Sequence, residues 1–143
     1  MKKLTFLDGF RAAIPVFIGF LPIAVTFGLL AASLNMSFIH TFSFSALVFA
    51  GASQFMALNM LQAGIGIGEI VFTVFLLNFR HFLMSASLSS RVKFNKLLIP
   101  IIAFGITDES FAVSSMQKGE LSEGYMLGLN FTSYSGWVLG TAA

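Results

Sequence analysis

The chain has 143 residues, 57% of them apolar and only 10% charged, with a formal net charge of +2. Soluble domains carry about 25% charged residues, and a chain this short cannot hide so much apolar surface in its own core. The composition therefore excludes an ordinary soluble domain and indicates a protein embedded in a lipid bilayer. Eight scattered basic residues are too sparse for a nucleic-acid surface. The absence of Cys excludes disulfides, thiolate metal sites and Cys nucleophiles. The 18 Phe against one Trp and two Tyr indicate lipid contact and packing more than aromatic belts.

In chain order, Met1-Lys2-Lys3 resembles the start of a signal peptide. The apolar stretch behind it is longer than a signal core and has no clear cleavage site, so it reads as a retained membrane segment. Over residues 1–11, Leu4, Phe6, Leu7 and Phe10 alternate with Lys2, Lys3, Asp8 and Arg11. That pattern fits a short interfacial helix and equally an ordinary solvated tail. From Ala12 to Gly68 there are 57 residues without Asp, Glu, Lys or Arg. At ~1.5 Å per residue and a ~30 Å hydrocarbon core, this run holds two helices and a turn. Asn35-Met36-Ser37 is the natural break, and Gly64, Gly66 and Gly68 mark the next turn.

The expected segments are 12–34, 38–61, 69–88, 97–116 and 124–143, forming a single transmembrane domain. Their length and lack of strict alternation favour helices over a closed barrel. The expected fold is an all-α membrane protein, a polytopic helical bundle of about five hydrophobic segments, one broken or re-entrant. In the last segment, Gly124, Gly128, Thr132, Gly136 and Gly140 leave one helix face flat, and Ala24, Gly28 and Ala32 form a weaker stripe in the first. Such stripes allow close helix approach, either as static packing or as an interface with a moving part.

Charge sets a topological puzzle. Basic residues favour the cytoplasmic side, so Lys2, Lys3 and Arg11 place the N-terminus inside, and Arg91, Lys93 and Lys96 place their loop inside as well. Three simple crossings between them would put that loop outside. Either one of the first three segments fails to cross, or charge control is weak here. Two places can absorb the conflict. Pro15 and Pro22 weaken the first segment, and Gly51-Ala52-Ser53-Gln54 is a small, polar patch within the second. A broken helix is tolerated in a membrane where it faces protein or a watery cavity, and transporters build substrate sites from such breaks. Gly51, Ala52 and Ser53 are the expected break.

Arg80 and His81 in the third segment, with Asp108 and Glu109 in the fourth, are intramembrane ionisable residues. Each must face protein or water. Arg80 lies nine residues before Ser89 and Asp108 eleven after Leu97, so both sit roughly 14–17 Å from the basic loop. Segments three and four are expected to be antiparallel, with Arg80 pairing Asp108 and Glu109 turned about 100° away. Glu109 and His81 are candidate proton carriers. The same set suits a zwitterion, which needs a cation for its carboxylate and an acceptor for its ammonium. A structural clamp between two helices is the competing reading. Gln54, beside the break, and Asn78 complete the candidate pathway. Asn59 is read as a helix-to-helix hydrogen bonder, and His40 as interfacial.

No P-loop, GxSxG or HExxH occurs, so no enzyme activity, metal or cofactor is expected. Adjacent carboxylates on one helix do not converge on a metal. A lipid bilayer is the expected surrounding, and no nucleic acid is an expected partner.

Five stretches, taken in order, resemble the AzlC family of branched-chain amino acid permeases. They are Gly9 to Gly28 with its Pro15, Gly19 and Pro22, then Phe49 to Phe55, Asn78-Phe79-Arg80-His81, Thr107 to Phe111, and Ser133-Tyr134-Ser135-Gly136-Trp137. The resemblance implies a multi-pass transporter of the bacterial inner membrane. It would work with a small AzlD-type membrane subunit and export branched-chain amino acids such as valine. Proton coupling fits such a system without being implied by the resemblance. Members of that family are typically longer, so the chain is expected to be the N-terminal part of a longer permease. The alternative reading is a non-transporting structural or assembly subunit.

Overall fold

The computed structural model describes residues 4–143, so Lys2 and Lys3 lie outside the described residues. Seven helices are found there: α1 (Phe6–Ser33), α2 (Phe38–Leu47), α3 (Gly51–Gln62), α4 (Ile67–Ser89), α5 (Ile99–Phe104), α6 (Asp108–Met116) and α7 (Glu123–Ala142). The protein is an all-α membrane protein, and α1 and α4 are long and apolar enough to cross a bilayer.

α1 starts earlier than its hydropathy implies. Thr5 caps it: the Asp8 N–H donates to the Thr5 hydroxyl at 3.4 Å, and the Thr5 N–H donates to the Asp8 carboxylate at 2.8 Å. Residues 6–11 therefore belong to the long helix and form neither a separate interfacial helix nor a solvated tail. Pro15 and Pro22 lie inside α1 without ending it, which removes them as the source of the topological conflict. The helix closes at left-handed Asn35, where the Met36 N–H donates to the Ala31 carbonyl at 3.1 Å.

α1 and α7 form the spine. The buried residues of α1 (Gly9, Ala13, Val16, Phe20, Ala24, Phe27, Ala31) recur every three or four positions, the seam of a helix packed lengthwise on another. The glycines of α7 meet it in rising order. A Cβ on Gly124 would reach the Phe6 backbone, one on Gly128 would overlap the Phe6 carbonyl, one on Gly136 would meet Phe17, and one on Gly140 would meet Ala24 and Leu21. The two helices are therefore parallel, and the small residues let their backbones touch.

The second segment is two helices rather than one. α2 descends from the end where α1 finishes: Phe44 packs on Phe27, with ring centroids 5.8 Å apart, and Ser45 bonds Thr141 at 2.8 Å. The chain turns at Val48–Ala50. α3 then climbs back past Trp137 and Phe27 to Leu58, which lies in one cluster with Ala31. The interruption thus falls just before Gly51, Ala52 and Ser53, which form the first turn of α3. Gly51 is small because the indole of Trp137 lies against it, not because the helix stops there.

The fourth segment is also two helices, which its hydropathy hides. α5 enters beside α7, where the Ile102 carbonyl accepts from Asn130 Nδ2 at 2.9 Å. The chain turns at Gly105–Thr107, and α6 returns, with Ser114 against Met126. Gly105 allows the turn to press on Asn130, and Thr107 with Ser110 caps α6. α4 and α6 consequently run parallel, not antiparallel as their single-helix reading requires: Arg80 meets Asp108, and Arg91 meets the carbonyls of Ser114, Gln117 and Gly119.

Further contacts bring three polar stretches of the chain together. The Leu121 N–H donates to the Arg91 carbonyl at 3.0 Å, Lys93 pairs with Glu120 at 3.2 Å, and the Ser122 hydroxyl donates to the Leu4 carbonyl at 2.5 Å. The start of α1, the basic loop and the 117–122 turn therefore share one end of the bundle. Among the described residues, only α1, α4 and α7 run its full height, and the two hairpins enter from opposite ends. The charge conflict disappears because segment two returns to the end it came from. Much of the apolar surface of α4 faces outward, including Phe72, Phe75, Phe79 and Phe82.

Candidate functional site

The two hairpin tips meet at mid-height, where Phe49 and Phe104 lie with ring centroids 6.5 Å apart. Beside them is a cavity of about 280 Å³, near the lower end of the ~300–1,000 Å³ usual for small-molecule sites. Its lining has two characters. Phe20, Ile23, Phe49, Ala50, Phe55 and Trp137 form an apolar wall with Gly51 and Ala52. Arg80, His81, Thr107, Asp108 and Glu109 form a polar one.

The tips present helix starts to this space. An α-helix leaves its first N–H groups without internal partners and carries partial positive charge there. Among the described residues no side chain caps α3, whose first turn is Gly51, Ala52 and Ser53, so its N–H groups have no side-chain partners there. The start of α6 differs. The Ser110 N–H donates to the Thr107 hydroxyl at 3.3 Å, the Thr107 N–H donates to the Ser110 hydroxyl at 2.8 Å, and Asp108 and Glu109 occupy the first turn.

Arg80 Nη1 lies 2.6 Å from Asp108 Oδ2. Its Nε is buried without a hydrogen-bond partner among the described residues. Glu109 has no ion-pair partner among the described residues, and it lines the same cavity as Asp108 rather than pointing elsewhere. At the first turn of a helix that starts inside the bundle, adjacent side chains flank one end-on space. His81 Nδ1 donates to the Ile106 carbonyl at 2.9 Å, which ties α4 to the second tip, while its Nε2 is buried and unpartnered.

Gln54 and Asn78 lie outside the lining. Gln54 is completely buried. Its Nε2 donates to the Val48 carbonyl at 2.5 Å and the Phe44 carbonyl at 3.1 Å, and its Oε1 accepts from Trp137 Nε1 at 3.0 Å. It adds a second hydrogen bond to carbonyls at the end of α2 that already accept from the Val48 and Ala50 N–H groups. Asn130 does the same for α5. Asn78 Oδ1 accepts from the Ser53 hydroxyl at 2.5 Å, which fixes α3 to α4. Both residues position the tips. Sequence reasoning missed Trp137, Phe20 and Thr107 as lining residues. Thr107 carries a readable signal, since Thr-x-x-Ser with acids between them marks a helix start. No group of three or more metal-ligating side chains occurs among the described residues.

Residues 15–143 match the protein family described as AzlC protein. The chain is 38% identical to the inner membrane protein YgaZ of Escherichia coli over 96% of the chain and 58% of that protein. It is 39% identical to an uncharacterized membrane protein of Archaeoglobus fulgidus, covering 99% of the chain and 62% of the relative. It is 27% identical to the branched-chain amino acid transport protein AzlC of Bacillus subtilis, covering 96% of the chain and 55% of the relative. The chain thus spans less than two thirds of the length of these relatives. No solved structure matches it.

Proposed function

The chain belongs to the AzlC family, and on that premise we propose that the cavity between the hairpin tips binds a branched-chain amino acid for export across the bacterial inner membrane. The observation that carries this reading is the convergence of an uncapped helix start, a guanidinium, two carboxylates and an aromatic wall on one small cavity. The substrate carboxylate takes the N–H groups of Gly51 and Ala52 and the free edge of Arg80. The ammonium goes to Glu109 and Asp108. The branched side chain lies against Phe20, Phe49 and Trp137. Opposed broken segments are how membrane transporters expose helix ends to substrates without leaving backbone groups in lipid.

Glu109, without an ion-pair partner, is the proposed proton carrier, with His81 beside it. A small AzlD-type subunit is the proposed partner. The end that gathers Arg11, Arg91, Lys93, Lys96 and Lys118 is the proposed cytoplasmic face, which puts the N-terminus inside. A transport role leaves no enzymatic step to assign. The test is valine efflux from preloaded cells expressing the whole permease with its partner. Arg80→Ala and Asp108→Ala, at unchanged membrane levels, are expected to abolish efflux. Normal efflux from both variants removes the site assignment.

A further inference from the structure

We infer that Trp137, seated on Gly51 and held by Gln54, sets the largest aliphatic group that the cavity accepts. The inference rests on the amino acid reading above and assigns the residues that determine its specificity. The indole forms part of the apolar wall and is 3% exposed. Three contacts fix its position. Its Nε1–H donates to Gln54 Oε1 at 3.0 Å, and the Gln54 amide is itself held by the Phe44 and Val48 carbonyls. Phe20 meets the ring edge-on at a centroid distance of 5.6 Å, and Phe27 lies on it at 6.3 Å. The far edge of the indole rests on Gly51.

That last contact leaves no slack. A Cβ on Gly51 would lie 2.6 Å from Cη2, 3.1 Å from Cζ3 and 3.2 Å from Cζ2 of Trp137. The obstacle is a rigid ring rather than the end of a flexible chain. It is backed by Phe20 and Phe27 and tethered at Nε1, so a methyl at position 51 drives the ring toward the cavity or the α3 start toward the ligand. Either movement shortens the apolar end. Gly51 therefore holds the cavity open, and the glycine that the sequence offers as a helix breaker acts as a spacer under a tryptophan.

The test is competition between leucine and alanine for efflux by the whole permease with its partner, in wild type and in Gly51→Ala, Trp137→Phe and the double variant. One methylene in an apolar pocket changes selection by about 10–200-fold. Gly51→Ala is expected to lower the leucine-to-alanine ratio roughly tenfold, and Trp137→Phe to raise it. The double variant is expected to return toward wild type, because the smaller ring makes room for the methyl. Loss of rate for both substrates with an unchanged ratio overturns the inference and leaves the amino acid reading intact. If Gly51→Ala fails to reach the membrane, an unchanged ratio in Trp137→Phe overturns it alone. A wild-type permease that moves neither substrate overturns the amino acid reading and this inference with it.

Discussion

Replacing Gln54 with Met tests whether the first hairpin is held by hydrogen bonds. Met has nearly the same length and volume, so no cavity opens. The substitution deletes three bonds, to the Phe44 carbonyl, the Val48 carbonyl and the Trp137 indole. Side-chain hydrogen bonds between membrane helices contribute roughly 0.6–1.7 kcal/mol each, so the three together contribute about 2–5 kcal/mol. Only the Trp137 N–H is left unpaired, since the Phe44 and Val48 carbonyls keep their bonds from the Val48 and Ala50 N–H groups, which favours the lower part of that range. For a chain of this size each kcal/mol moves Tm by about 3 °C, which predicts a fall of roughly 6–15 °C. The assay is thermal unfolding in detergent micelles followed by circular dichroism. Asn59→Met, at an exposed position of the same helix, serves as control and is expected to shift Tm by less than about 2 °C. Equal Tm values for the two variants would refute the claim that Gln54 ties the tip together.

Glycines of α1 and α7 should separate by their surroundings. Gly128→Ala puts a methyl into the Phe6 carbonyl and is expected to lower stability by at least about 1–3 kcal/mol, whereas Gly19→Ala meets nothing within 4 Å and is expected to gain about 0.5–1 kcal/mol, both read by the same unfolding assay. The Arg80–Asp108 pair is 36% and 48% exposed, so Arg80→Ala is expected to cost about 1 kcal/mol or less while ending efflux. Reversing both charges restores the bridge, and recovery of efflux in that variant would favour a clamp over a substrate site. The chain has no Cys, which permits single-thiol labelling from one face of the membrane. Lys93→Cys and Lys118→Cys are expected to react from the same side and Ala63→Cys from the other, and labelling of the first two from opposite sides would restore a simple five-span topology.

What the sequence disclosed follows from how costly each feature is in lipid. Gly51 to Gln54 stood out because small and polar residues are rare within an apolar run, and the charge conflict independently required one early segment to turn back. The second hairpin stayed hidden. Residues 97–106 are uniformly apolar apart from Pro100 and Gly105, and the 117–123 turn mixes Lys118 with Glu120 and Glu123, so charge raised no second conflict. The capping pattern at Thr107 was the available signal. The pairing of Arg80 with Asp108 was legible because depth measured from the basic loop is the same for a crossing helix and a returning one. The glycine face of α7 was legible from spacing, but its partner lies more than a hundred residues away in sequence, and the seam on α1 runs through Ala31 while Ala32 faces outward. Gln54 was recognisable as polar and out of place. Only the positions of Val48 and Trp137 could show that it serves the backbone and not the cavity.

The two tips are alike in architecture and opposite in charge, and this bears on which ligand the site discriminates against. Each helix start carries roughly half a positive charge. At α3 nothing offsets it, because Gly51, Ala52 and Ser53 are neutral and no side chain caps the turn. At α6 Asp108 and Glu109 more than offset it, and Arg80 returns part of the balance. The cavity is therefore close to neutral in sum and strongly polarised from one tip to the other. An isolated anion is attracted at α3 and repelled at α6, and an isolated cation meets the reverse, whereas a zwitterion gains at both. Isovalerate and isobutylamine each share the branched group of valine and lack one of its charges. Both are expected to compete with valine efflux at least tenfold more weakly than valine does, since a site that pairs a polar group discriminates strongly against its absence. Competition by isovalerate equal to that of valine would show that the carboxylates at α6 do not hold the ammonium, and equal competition by isobutylamine would remove the start of α3 from the site.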